Sequence, residues 1–111
     1  MSEHVIFREV DESTKPQIED YWAKKLPRLQ KLLASYNSDL QEIDLTIYQH
    51  QQNSHRHWYE ARAVIHLPNG ALAAQAEQNE ANAAIDRVAD VLVTEIKKHQ
   101  DRLRNGAQMK E

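Results

Sequence analysis

Three histidines, His50, His55 and His57, fall within eight residues of one another, and imidazoles that close in a chain can ligate zinc or nickel. The chain has no cysteine, however, and no acid stands between Asp44 and Glu60. No metal site is expected, and the histidines read either as a solvated loop or as contacts to phosphates and bases. Acid–base and nucleophilic chemistry find little support. Two glycines cannot build a phosphate-cradling loop, no serine sits in a nucleophile motif, and Asp86 and Asp90, one helical turn apart, suit a solvated or capping role. An enzyme, a cofactor and a small-molecule substrate are all unexpected. What remains is charge. Residues 1–22 hold six acids against Arg8 and Lys15, whereas residues 23–36 hold Lys24, Lys25, Arg28 and Lys31 with no acid. Residues 97–104 repeat the pattern, with Lys97, Lys98, Arg102 and Arg104 opposed by Asp101 alone. Acids early and bases late in a helix complement its macrodipole. The row Lys24, Arg28 and Lys31, at four- and three-residue spacing, equally fits a surface that contacts phosphates.

The elements that must position these charges belong to a chain of 111 residues with 41% apolar content and a net charge of −3. That length suits a single domain over 1–111, with an ordered core of about residues 4–104 and a short C-terminal tail. A cysteine-free, charge-rich composition fits a reducing cytoplasm. No basic region followed by an apolar run opens the chain, and no apolar segment reaches membrane-spanning length. The net charge argues against indiscriminate attraction to nucleic acid, but its segregation leaves room for a local basic surface.

Val5 to Val10 is a short run rich in β-branched and aromatic residues, a strand whose buried face is ambiguous. Asp11-Glu-Ser-Thr-Lys-Pro16 supplies capping hydroxyls and an early proline. Ile18, Trp22, Leu26 or Lys25, Leu29, Leu33 and Tyr36 then form one helical stripe, with Pro27 expected to kink it and Asn37-Ser-Asp to close it. Ile43, Leu45 and Ile47 alternate with Asp44, Thr46 and Tyr48 as a half-buried strand. Gln49 to His57 is polar and reads as a loop. Tyr59, Ala61, Ala63, Ile65 and Leu67 alternate in a third strand, and Pro68-Asn69-Gly70 turns the chain into a fourth, Ala71 to Gln78. Asn79 or Glu80 opens a last helix along Ala81, Ala84, Ile85, Val88, Leu92, Ile96 and Leu103, which Asn105-Gly106 ends.

The order is β-α-β-β-β-α, an α+β fold: a four-stranded mixed sheet with two parallel helices packed on one face and the other face open. A right-handed crossover makes the first two strands parallel, and two hairpins return the fourth to the same direction. Both helices follow strands of that direction. Their basic C-terminal halves therefore meet at one end and form a single patch. On the open face, Tyr48 and Trp58 point outward, where aromatics stack on bases or cover strands.

Several motifs in order resemble those of the ribosome hibernation promoting factors, the small ribosome-associated translation inhibitors. They are Lys24-Lys25-Leu26, Arg28-Leu29 and Lys31 in the first helix, His66-Leu67-Pro68-Asn69-Gly70 at the hairpin, Ala76-Glu77, Ala84-Ile85-Asp86, and Lys98-His99 with Arg102 and Arg104. The likeness spans nearly the whole chain and looks like the short form of the family. It implies a protein that binds the small ribosomal subunit and its ribosomal RNA in the messenger and transfer RNA channel, inactivating ribosomes in dormancy or stress. By the same resemblance Lys24, Lys25, Arg28, Lys31, Lys98, Arg102 and Arg104 are the RNA contacts, with His55, Arg56, His57, Arg62 and His66 behind them. Val91, Thr94 and Gln100 stand where the family is commonly basic, which implies a shallower salt dependence. The alternative function is a protein-interaction module on the open sheet face bearing Tyr48, Trp58, Arg62 and Val64.

Overall fold

The computed structural model describes residues 2–34, 42–53, 56–67 and 70–109, apart from the side chains of residues 2, 51–57 and 102–109. Along the chain run β1 (Ser2–Arg8), α1 (Lys15–Leu33), β2 (Glu42–Asn53), β3 (Arg56–Leu67), β4 (Gly70–Gln78) and α2 (Ala81–Met109). The strands lie in the order β1-β2-β3-β4. β1 is parallel to β2, and the two remaining pairs are antiparallel. This is the β-α-β-β-β-α, α+β arrangement that the periodicities demand.

One face of the sheet is dry. Ile43, Leu45 and Ile47 of β2, Ala61, Ala63 and Ile65 of β3, and Leu72, Ala74 and Ala76 of β4 are all buried. Against them pack Ile18, Trp22, Leu26, Leu29 and Leu33 of α1, and Ala84, Ile85, Val88, Leu92 and Ile96 of α2. Burying each large aliphatic side chain contributes about 1.5–3 kcal/mol, several times the contribution of a charge on a helix dipole. The apolar stripe decides that the helices form; the basic residues only decorate them. The inner face is graded, with large side chains on β2 and mostly alanines, beside Ile65 and Leu72, on β3 and β4. Accordingly α2 approaches β3 and β4 closely while α1 stands further off the strands, because a small residue lets two backbones near each other.

Two inter-helix contacts fix the mutual direction of the helices. Tyr21 of α1 donates to Asp86 of α2 across 2.6 Å, and the Leu32 carbonyl accepts from Gln100 Nε2 at 3.2 Å. Early residue meets early and late meets late, so the helices run parallel.

Three local features differ from the sequence-based expectation, and one more, the end of α1, lies partly outside the described residues. The first is the stretch from Gln49, which is no loop: β2 continues to Asn53 and β3 begins at Arg56. Its outward side chains support one another, His50 lying between Tyr48 and Trp58 with ring centroids 4.1 and 3.8 Å away. Inward, Gln49 is buried and grips the β1–α1 connection, its Oε1 accepting from the Asp11 N–H at 3.0 Å and its Nε2 donating to the Asp11 carboxylate at 3.3 Å. Second, the helix cap is made by backbone. Thr14 makes no side-chain cap, and its carbonyl instead accepts from the Ile18 N–H at 3.1 Å. Third, α1 passes Pro27 and ends at Leu33 with Ala34 as its cap. Both Pro27 and Ala23, whose carbonyl loses a partner, are exposed, so water can satisfy that group. The expected stop at Asn37-Ser-Asp and the stripe residue Tyr36 lie outside the described residues. Fourth, α2 runs through Asn105-Gly106 to Met109. Glycine disfavours an interior helical position by about 1 kcal/mol, and the helix formers Ala107, Gln108 and Met109 beyond it favour continuation.

Candidate nucleic-acid interface

The sequence places Lys24, Lys25, Arg28 and Lys31 along the second half of α1, beside the stripe that faces the sheet. Lys24, Arg28 and Lys31 are exposed. None of them pairs with a carboxylate among the described residues. Lys25 is different. Its Nζ lies 2.7 Å from Asp86 Oδ1 and 5.0 Å from the centre of the Tyr21 ring. The Asp86 hydrogen bonds from Lys25 and Tyr21 hold its carboxyl below the usual aspartate range. Reciprocally, the Asp86 bond raises both the Lys25 ammonium and the Tyr21 phenol. Asp86 is therefore a tertiary link between helices, in place of the solvated or capping residue expected from its spacing to Asp90. Lys25 is half spent on the same link.

On α2, Lys97 and Lys98 are exposed, and Lys98 has Glu95 3.9 Å away. Because the helices are parallel, these lysines lie at the same end of the molecule as Lys31. Gln100, at a position where a base would have extended the patch, instead ties the two helices through Leu32. The backbone of Arg102 and Arg104 continues α2; their side chains lie outside the described residues. Acids crowd the opposite end, with Asp11, Glu12, Glu19 and Asp20 at the start of α1 and Glu80 just before α2.

The secondary candidates fall elsewhere. Arg62 and His66 are exposed on the open sheet face, across the sheet from the helices. Arg56 and His57 belong to β3, with side chains outside the described residues, as is the whole of His55. The sheet also assembles a cluster that no sequence motif signals: donor atoms of Glu42, Asp44 and His66 all lie within 4.8 Å of one another. Period-two alternation puts each on the outer face, but only the register between strands brings them together. Among the described residues no helix is long and apolar enough to cross a membrane.

Solved structures share this architecture. The N-terminal domain of Thermus thermophilus Protein Y is 26% identical, with a TM-score of 0.66 over 86% of this chain and 94% of that one. A ribosomal subunit interface protein from Coxiella burnetii is 23% identical, with a TM-score of 0.64 over 91% of this chain and 99% of that one, and shows the fold. Among curated proteins none matches significantly. The family model described as sigma 54 modulation protein / S30EA ribosomal protein matches residues 5–104, from within β1 to within the last turns of α2, and includes the basic residues of both helices. That family is non-enzymatic, in keeping with a surface whose chemistry is charge, and with so nearly complete a match the chain belongs to it.

Proposed function

We propose that this protein is a ribosome-binding translation inhibitor that docks on the small subunit through the shared basic end of α1 and α2. It occupies the messenger and transfer RNA channel there, and so inactivates ribosomes during dormancy or stress. The observation that carries this is that cations with no carboxylate partner among the described residues, Lys24, Arg28 and Lys31 from one helix and Lys97 from the other, share one end of a pair of parallel helices in a member of a ribosomal protein family. Lys98 lies on the same end of α2, and by the family resemblance Arg102 and Arg104 belong to the same contact set. Lys25 adds to the field more than to direct contact, because Asp86 already holds it. Contacts of this kind position a protein on RNA without reading bases. The site of action is the cytoplasm, with the ribosomes.

Co-sedimentation with intact ribosomes and separated subunits over a salt series tests this. Retention on the small subunit that falls with salt and is competed by messenger and transfer RNA is the expected result; absence of retention at low salt by folded protein would overturn it. A protein-interaction role for the open face has one observation in its favour, the exposed Ile6, 44% accessible, on the same face as the Tyr48–His50–Trp58 stack. Trp58→Ala abolishing ribosome binding, with Lys24→Glu and Arg28→Glu leaving it intact, would move the interface there.

A further inference from the structure

We propose that the open sheet face carries a binding site for one divalent transition-metal ion, formed by Glu42, Asp44 and His66 with His4 as fourth ligand, and that the ion clamps the edge strand β1 to its neighbours. The four residues lie on three adjacent strands. His4 is paired with Asp44 in the β1–β2 register, and Glu42 with His66 in the β2–β3 register. His66 Nε2 is 3.0 Å from Asp44 Oδ2, and His4 Nε2 is 3.7 Å from Glu42 Oε1. An ion with bonds of about 2.0–2.2 Å in a tetrahedral site separates its ligand atoms by about 3.3–3.6 Å. Those two contacts lie on either side of that edge, the donor atoms of Glu42, Asp44 and His66 are within 4.8 Å of one another, and rotation of the exposed His4 side chain, which now meets Glu42, would bring in the fourth ligand.

Charge points the same way. The two carboxylates have only imidazoles as ion partners among the described residues, so with neutral histidines the site carries two negative charges that a dication neutralises. Two imidazoles and two carboxylates suit zinc, manganese, cobalt or nickel, and the lack of thiolate disfavours monovalent copper. Strands hold the backbone of all four residues, which limits the ordering cost on binding. β1 has a single neighbour in the sheet. An ion joined to His4 adds a second attachment between that edge and the rest.

Untagged protein titrated with zinc chloride by calorimetry should bind one ion per chain, and cobalt should give the visible absorption of nitrogen–oxygen ligation. His66→Ala and Asp44→Asn, both surface changes verified as folded by circular dichroism, should each weaken binding by about tenfold or more. Zinc should also slow amide hydrogen exchange along β1 in the native chain and not in His4→Ala. Absence of saturable binding, or binding that survives both His66→Ala and Asp44→Asn, would overturn the site; equal slowing of exchange in His4→Ala would overturn the clamp.

Discussion

Replacing Lys24, Arg28 and Lys31 together by alanine removes the three cations of α1 that the fold leaves exposed and without a carboxylate partner among the described residues. Each phosphate contact contributes about 0.7–0.9 to the slope of log affinity against log salt. The triple variant should therefore bind ribosomes with a slope shallower by about 2 to 3. Carried from molar salt to physiological ionic strength, that slope corresponds to about a hundredfold weaker binding. Lys25→Ala is the internal control. Its ammonium is bound to Asp86 2.7 Å away, so its loss should alter the slope by much less than one unit while lowering the melting temperature. Filter binding or sedimentation on purified small subunits across a salt series measures both. An unchanged slope in the triple variant would show that this end of the molecule does not meet RNA. A Lys25→Ala effect equal to that of Lys24→Ala would show that the ion pair opens on binding.

The other expectations concern the scaffold. Asp86→Ala should cost about 0.2–1 kcal/mol, the range for a surface ion pair, since Asp86 is 46% accessible. Because folding lowers the Asp86 pKa, its contribution is present above the unfolded aspartate value, near 3.8, and disappears as pH falls through the lower folded value; denaturant melts of both proteins against pH check this. Lys25 and Tyr21 are shifted upward, so their share is full below their unfolded values and fades as pH rises through the folded ones. Ala74→Leu should overpack the close α2–β4 contact and destabilise by about 1–3 kcal/mol, whereas Leu45→Ala should cost about 2–5 kcal/mol by leaving a cavity; a melt in which either change is neutral would mean that the core repacks there. Gln49→Leu should loosen the β1–α1 connection, visible as faster hydrogen exchange at Asp11, and unchanged exchange would place the hold elsewhere.

The helices and the inner row of each strand were legible because burial imposes a period. Ile18, Trp22, Leu26, Leu29 and Leu33 can share a face only in a helix, and Ile43, Leu45 and Ile47 only in a strand. Where no core imposes a period, the pattern falls silent. Gln49 to Asn53 and Arg56 to Trp58 are paired by a hairpin whose outer rings stack on each other, and nothing in a polar run announces that. Asn105-Gly106 carries a stop signal of about 1 kcal/mol, small enough for neighbouring helix formers to outweigh. At the basic end, the residues were readable as charges, and their convergence followed from topology. Which of them is already engaged was not, because Lys25 and Asp86 are 61 positions apart in the chain. The Glu42, Asp44 and His66 cluster was hidden for the same reason, since register between strands is a tertiary fact.

Placing acids at one end of α1 and bases at the other gives the molecule a permanent electric dipole, and the length of that dipole changes what the net charge means. A helix of nineteen residues is about 28 Å long, whereas the Debye length at physiological ionic strength is about 8 Å. A polyanion approached by the basic end is therefore shielded from Asp11 and Glu12 by several screening lengths, and it encounters a cation although the chain as a whole carries −3. Dilute the salt until the Debye length reaches about 30 Å, and the far acids come into view. The same field that orients the molecule on approach then begins to oppose its arrival, so if the basic end meets RNA as proposed, encounter should be fastest at intermediate ionic strength.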